Sequence, residues 1–331
     1  MESNQTLSPA PNCPSFNPKL MFSVTVLYLA MFPIALVLNG VAAWVSIHLR
    51  STSSFMVYLK NIVAADLFMT LTLPIKAASD LPGASMRLYV LVCRYFTVIF
   101  YSCMYTSITL LGLVSVDRFF KIVRPKMMFG QKLLFSKMMS AFVWVMLFGG
   151  TAIPTIVLTN QSPVNMTGVT CMSLKGRDGL NFHGRMVIYL NAFFWFVSVV
   201  TVVSYICIAK KVIQSFKNSG STNNQGKQKT KLRVFLVLAV FFVCYGPYHL
   251  VRIPYTFQQV KPVGTCLHFK FIKEISLWLA TTNICLDPLL YVFLCREFRE
   301  KLMSMIKCVL INQQDSSIRP TKTKKNALNK T

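Results

Sequence analysis

Apolar residues in this chain gather into long unbroken runs separated by short polar, mostly basic segments. Runs of about 20 residues or more, the length that crosses a bilayer, lie at Ser23 to His48, Leu59 to Leu81, Leu91 to Ile122, Met138 to Leu158, Met186 to Ala209, Leu232 to Tyr255 and Phe271 to Leu294. Backbone polar groups facing lipid find no water, so each run is expected to be helical. The pattern predicts an all-α membrane protein, a seven-transmembrane helix bundle over residues 23–295. In residues 296–308, REFREKLMSMIKC, the residues Phe298, Leu302, Met305 and Ile306 form an apolar stripe among basic neighbours. That stripe predicts a short amphipathic interfacial helix rather than an eighth span. Residues 1–22 read as an extracellular tail and 309–331 as a disordered cytoplasmic one.

Composition agrees: 54% of the 331 residues are hydrophobic, and the mean hydropathy is +0.51. A net charge of +25 would point to nucleic acid on a soluble surface, but here it sits mostly between the apolar runs. Lys121, Arg124, Lys126, Lys132 and Lys137 lie between the third and fourth runs, and Lys210, Lys211, Lys217, Lys227, Lys229, Lys231 and Arg233 between the fifth and sixth. By the positive-inside rule both loops are cytoplasmic, which puts the C-terminus inside and the N-terminus outside. No cleavable leader is visible, so the first span is expected to act as the insertion signal. Sequons at Asn4, Asn160 and Asn165 fall in segments assigned outside; Asn4 and Asn165 are the expected glycosylation sites, Asn160 lying close to the membrane. Four of the ten cysteines, Cys13, Cys93, Cys171 and Cys266, are at outer positions and allow three pairings. The preferred set joins Cys93 to Cys171 and Cys13 to Cys266. Cys308, at the end of the amphipathic stretch, is a candidate for lipidation.

Polar residues inside the spans carry the candidate chemistry. Arg252 lies in VFLVLAVFFVCYGPYHLVRIPY, with Tyr248 and Tyr255 at helical spacing on its face and Pro247 bending the segment. An arginine at membrane depth either snorkels to headgroups or faces an anion. Near the outer ends, Lys76, Arg94, Lys175, Arg177, Arg185, Arg252, Lys261, Lys270 and Lys273 outnumber Asp80, Asp178 and Glu274, the reverse of the positive-inside expectation. An outer basic cluster points to a polyphosphate, and Tyr101 and Tyr105, one turn apart, offer an aromatic wall for a base or ribose. Deeper, Asp66, Asn39, Asn283 and Asp287 are oxygen carriers at comparable depth, suited either to one sodium ion or to a structural polar network. Asp117-Arg118-Phe119 ends the third run as a switchable charge pair, and Asp287-Pro288 bends the seventh ahead of Tyr291. No phosphate-binding glycine loop, HExxH or CxxC pair is present, and the scattered histidines support neither a metal centre nor a triad.

Seven spans with Asn39, Asp66, Cys93, Asp117-Arg118-Phe119, Trp144, Pro247 and Asp287-Pro288-Leu289-Leu290-Tyr291 together resemble the rhodopsin-like G-protein-coupled receptors. FYSCMYTSI, IVLTNQS, FFVCYGPYHLVRIPYT, FIKEISLWL and NICLDPLLYVFLC are similar to the metabotropic purinoceptors of the branch answering ADP and UDP-sugars, and DRFFKIVRP, MSLKGRDGL and IAKKV to its inhibitory ADP receptors. The chain departs at Phe119, Asp287 and Tyr245, where the wider family carries Tyr, Asn and Trp, and at Thr155 and Val187, where relatives place nucleotide-contacting Asn. The resemblance implies a plasma-membrane receptor for an extracellular nucleotide, most of all ADP, acting through an inhibitory heterotrimeric G protein, with no enzymatic activity and no cofactor beyond an allosteric sodium ion. It implies phosphate contacts at Arg252, Lys273, Tyr255 and His183, a pocket lined by Tyr101, Tyr105, Tyr248 and His249, and further contacts at Lys76 and Lys175. Another anionic ligand, a UDP-sugar or a lysophospholipid, is the alternative on the same fold; an anion transporter would need internal repeats, and none is seen.

Overall fold

The computed structural model describes residues 18–50, 52–125, 133–162, 170–218, 224–260 and 267–308. Cys13, Cys266, Asn4, Asn165, Lys126, Lys132, Lys261 and the C-terminal tail lie outside the described residues.

Among the described residues seven helices are long and apolar enough to cross a membrane. They are Pro18–His48, Ser54–Asp80, Met86–Val123, Leu133–Leu158, Arg177–Asn218, Asn224–Val260 and a seventh in two pieces, Leu267–Thr281 and Asn283–Leu294. A further helix covers residues 296–308. Most helices start before the apolar runs do. The fifth has 42 residues, roughly 60 Å of helix against a hydrocarbon layer of about 30 Å, and its first turns, Arg177 to Arg185, are polar. Hydropathy marks only the stretch that meets lipid, while backbone hydrogen bonding carries the helix past it. His183, expected just ahead of the fifth span, therefore lies inside its helix.

Local sequence sets the caps and bends. Ser53 accepts a hydrogen bond from the Met56 amide and Ser85 one from the Leu88 amide, satisfying the open N–H groups where the second and third helices begin. Ahead of Pro154 the fourth helix widens into a π turn at Phe148–Ala152, the local answer to a residue that cannot donate and whose ring crowds the preceding turn. A second π turn, Val92–Phe96, carries Cys93.

In the bundle the third span packs against the second, fourth and fifth, and the seventh closes the ring against the first, second and sixth. The most apolar stretch of the third is 61% buried and that of the fourth 17%, so the third is the axis and the fourth a peripheral stave. In the terminal helix Phe298 is buried and Leu302 and Met305 pack on the core beside it, whereas Ile306 is exposed.

Candidate functional site

A disulfide joins Cys93 on the third span to Cys171 in the segment before the fifth. That segment is stitched to the same end of the bundle: the Gln161 amide donates to the Leu174 carbonyl at 3.0 Å, Arg94 Nε to the Thr159 carbonyl at 2.6 Å, and Lys175 Nζ to Thr159 Oγ1 at 2.6 Å. A Cβ on Gly179 would meet the Leu158 carbonyl oxygen at 2.6 Å, so only glycine lets the fifth helix start this close to the fourth.

Beneath this cover the sixth span presents Arg252, 7% exposed. Its guanidinium lies 5.5 Å from the ring centre of Tyr101 and 5.9 Å from that of Tyr248, and those two rings stack 6.2 Å apart. Among the described residues no carboxylate is within ion-pair distance of it. The aromatic faces hold the cation without neutralising it, and its five donors stay free for an anion. One turn deeper, His249 stacks on Phe194 at 3.6 Å and meets Tyr105 edge-on at 5.7 Å. His183 places Nε2 in the interior with no hydrogen-bond partner among the described residues.

Two lysines differ from Arg252 in being paired. Lys273 Nζ is 2.7 Å from one Glu274 oxygen and 5.6 Å from the Tyr255 ring centre. Lys76 Nζ reaches the other Glu274 oxygen at 3.6 Å and Asp80 at 3.3 Å, above the Tyr28 ring. Glu274 thus ties the second span to the seventh, a role that sequence reading counted only as an opposing charge. Lys273 adjoins Glu274 in the chain, but Lys76 lies on another span and nothing local betrays that pairing. Thr159, Phe194 and Tyr28 are further contacts the sequence did not single out. A crevice lined by Thr72, Lys76, Phe96, Phe100, Tyr101 and Leu277 opens beside this cluster.

Lys175 is 8% exposed, and burial pushes its ammonium down to about 8. Its protonated fraction, and with it any attraction for phosphate, falls as pH rises through that value. For an anionic ligand held by Lys175, affinity measured by competition across roughly pH 6.5 to 9.5 should therefore decline in the wild type and stay flatter in Lys175→Met, the neutral variant starting lower. Equal slopes in the two proteins would mean that Lys175 does not contact such a ligand.

Further down the bundle Ser107 donates to Asp66 Oδ1 at 2.9 Å and Tyr291 to Asp66 Oδ2 at 3.4 Å. Asn283 donates to Asp287 Oδ2 at 2.7 Å, and Asn39 to the Ile284 carbonyl at 2.8 Å. The Asp66 and Asp287 carboxyls are close enough to interact. Asp66, Asp287 and Asn283 thus adjoin, with Ser107 and Tyr291 on Asp66, while Asn39 reaches the backbone next to Asn283. Beside them Cys244 Sγ of the sixth span meets Thr282 Oγ1 at 3.7 Å, where the seventh helix is broken just before Asn283. At the far end Asp117 binds Lys121 at 2.8 Å, and the Arg118 guanidinium lies 4.4 Å from the Phe55 ring centre. Here Asp117 pairs with Lys121 rather than with Arg118, because neighbouring helical side chains diverge while those four apart meet.

The family model described as 7 transmembrane receptor (rhodopsin family) matches residues 38–291. The chain belongs to this family of seven-transmembrane receptors. The receptor is 42% identical to purinoceptor 13 of Homo sapiens, covering 88% of this chain and 84% of that protein. It is 38% identical to purinoceptor 14 of Bos taurus, over 92% of this chain and 91% of the relative. It is 39% identical to G-protein coupled receptor 87 of Mus musculus, over 84% and 78%. It is a G-protein-coupled receptor of the metabotropic purinoceptor type, and its family and relatives are receptors rather than enzymes.

Proposed function

We propose that this receptor sits in the plasma membrane with its N-terminus and the disulfide end outside, binds an extracellular nucleotide, ADP before others, and lowers cyclic AMP through an inhibitory heterotrimeric G protein. The observation that supports this most is Arg252, a buried guanidinium resting on two tyrosines with no carboxylate partner among the described residues. A permanent charge held in this way gains most from a multiply charged ligand that offers it two parallel hydrogen bonds, which is what a terminal phosphate does. The purinoceptor relatives support the nucleotide. Asn4 and Asn165 are then glycan acceptors and exposed Cys308 a lipid acceptor at the cytoplasmic face.

Phosphates would engage Arg252, Tyr255 and His183, while Lys273 exchanges Glu274 for a phosphate oxygen; Lys76 and Lys175 add field, and Tyr101, Tyr105, Tyr248 and His249 wall the nucleoside. Shared phosphate contacts pull the sixth and seventh spans together at this end. The sixth pivots at Pro247, where Cys244 touches the break at Thr282, and its far end swings outward. Arg118 leaves Phe55, and the tail of the G-protein α subunit fills the opening. A panel of ADP, ATP, UDP-sugars and lysophospholipids on transfected cells tests this, with cyclic AMP read with and without pertussis toxin. A toxin-sensitive fall with ADP at the lowest concentration is expected. No response to any nucleotide would reject the reading.

We also propose a sodium ion at Asp66. The donors fit a hard cation: two carboxyls and the Ser107 hydroxyl, with Asn39 Oδ1 and Asp287 Oδ1 buried without hydrogen-bond partners among the described residues. Sodium would supply positive charge to a cavity whose two carboxylates otherwise repel each other. A cavity expanded at rest and contracted when active couples the ion to agonist through differential affinity. Agonist competition binding at constant ionic strength should be weaker in sodium than in N-methylglucamine for the wild type, and insensitive to the exchange in Asp66→Asn. Equal cation sensitivity in both would leave a structural polar network.

A further inference from the structure

Thr159 gathers two cations at the disulfide end of the bundle onto one buried residue. It is 1% exposed and follows directly on Leu158, the last residue of the fourth span. The closing carbonyls of a helix lack intrahelical donors and carry its negative partial charge, so cations are stabilised there. Arg94 Nε takes the Thr159 carbonyl and Lys175 Nζ the Thr159 hydroxyl, both at 2.6 Å. The direction of the second bond is fixed. The Thr159 hydroxyl gives its own proton to the Thr155 carbonyl at 2.7 Å, so toward Lys175 it only accepts.

That contact uses one of the three ammonium protons and leaves two. Among the described residues no carboxylate lies within ion-pair distance of Lys175, whereas Lys76 and Lys273 are both engaged by Glu274. An anion meeting Lys175 has no carboxylate to displace. Lys175 is 8% exposed, and its charge acts on His183 together with those of Arg252 and Lys273, so it belongs to the same group of cations. A free lysine stem loses rotamer entropy when a ligand immobilises it. One bonded at its tip is already ordered. The backbone leaves room for the stem at this place: a Cβ on Gly179 would come to 3.1 Å from Lys175 Cβ.

We propose that Thr159 is a positioning residue for ligand recognition, its hydroxyl holding the Lys175 ammonium ready for an anionic group of the ligand and Arg94 fixing Thr159 in turn. This rests on the nucleotide reading above, with Lys175 among the phosphate contacts, and deepens it. In this role Thr159 makes no ligand contact of its own. It acts through Lys175, so its effect disappears where position 175 carries no charge. A threonine that only closes the fourth helix would matter equally whatever stands at 175.

The test is saturation binding of labelled ADP to membranes of cells bearing the full-length receptor, with affinity compared at equal display. Thr159→Val keeps the branched shape without the hydroxyl, and its dissociation constant should rise ~3-fold to 10-fold, the worth of one hydrogen bond. Thr159→Ser, which keeps the hydroxyl, should bind as the wild type does. Adding Thr159→Val to Lys175→Met should change nothing further. Arg94→Met reads the same chain from its other end, and serves alone if Thr159→Val is not displayed: a smaller loss is expected, again absent beside Lys175→Met. Unchanged affinity in Thr159→Val overturns the proposal, and so does a gain, which would mean that Thr159 withholds Lys175 from the ligand. An equal loss with and without the Lys175 charge also overturns it, since that marks packing rather than positioning. All of these outcomes include saturable ADP binding and keep the nucleotide reading intact; its absence in the wild type rejects the two together.

Discussion

Arg252→Ala should lose ~10-fold to 150-fold in nucleotide potency, the effect of ~1.5 to 3 kcal/mol from a charge-assisted phosphate contact, with surface display at or above the wild-type level. The display half of this expectation follows from the packing. Among the described residues Arg252 touches rings and no carboxylate, so its removal strands no buried opposite charge, and it relieves the burial of a cation. Arg252→Lys should recover part of the potency, since the charge remains while the two-pronged geometry is lost. Potency from cyclic AMP curves, normalised to surface immunolabelling, gives both quantities. A shift under threefold in Arg252→Ala would mean that the anion sits elsewhere; a collapse in display would mean that the arginine serves folding.

Cys93→Ser should remove most of the receptor from the cell surface. The bridge to Cys171 closes a sequence separation of 78 residues, for which loop entropy alone gives about 4 to 5 kcal/mol. It also fixes the segment that delivers Lys175 to Thr159. Cys13→Ser should retain display and change ligand affinity, since the proposed bridge to Cys266 ties a terminal tail rather than the wall of the site. Flow cytometry of non-permeabilised cells separates the two, and equal loss of display from both would overturn the ranking.

Hydropathy made the bundle legible because lipid imposes one rule on every span: apolar side chains outside, backbone bonds satisfied within. It could not show that the fifth helix runs to 42 residues, since Arg177 to Arg185 are helical for reasons of backbone continuity. The site was legible where a residue broke the lipid rule by itself. Arg252, Asp66 and Asp287 stood out as charges in apolar runs, and all three are buried. What stayed hidden was the pairing. That Glu274 reaches Lys76 on another span and that Phe194 of the fifth stacks on His249 of the sixth depend on which helices are neighbours and how they are rotated. No span carries that information alone.

Equilibrium binding of isotopically labelled ADP to membranes bearing equal amounts of wild-type and Arg252→Ala receptor tests the central claim most directly. The account predicts saturable binding to the wild type, displaced by unlabelled ADP, and an isotherm displaced at least ~10-fold in the variant. Superimposable isotherms, or wild-type binding that excess unlabelled ADP fails to displace, would contradict it.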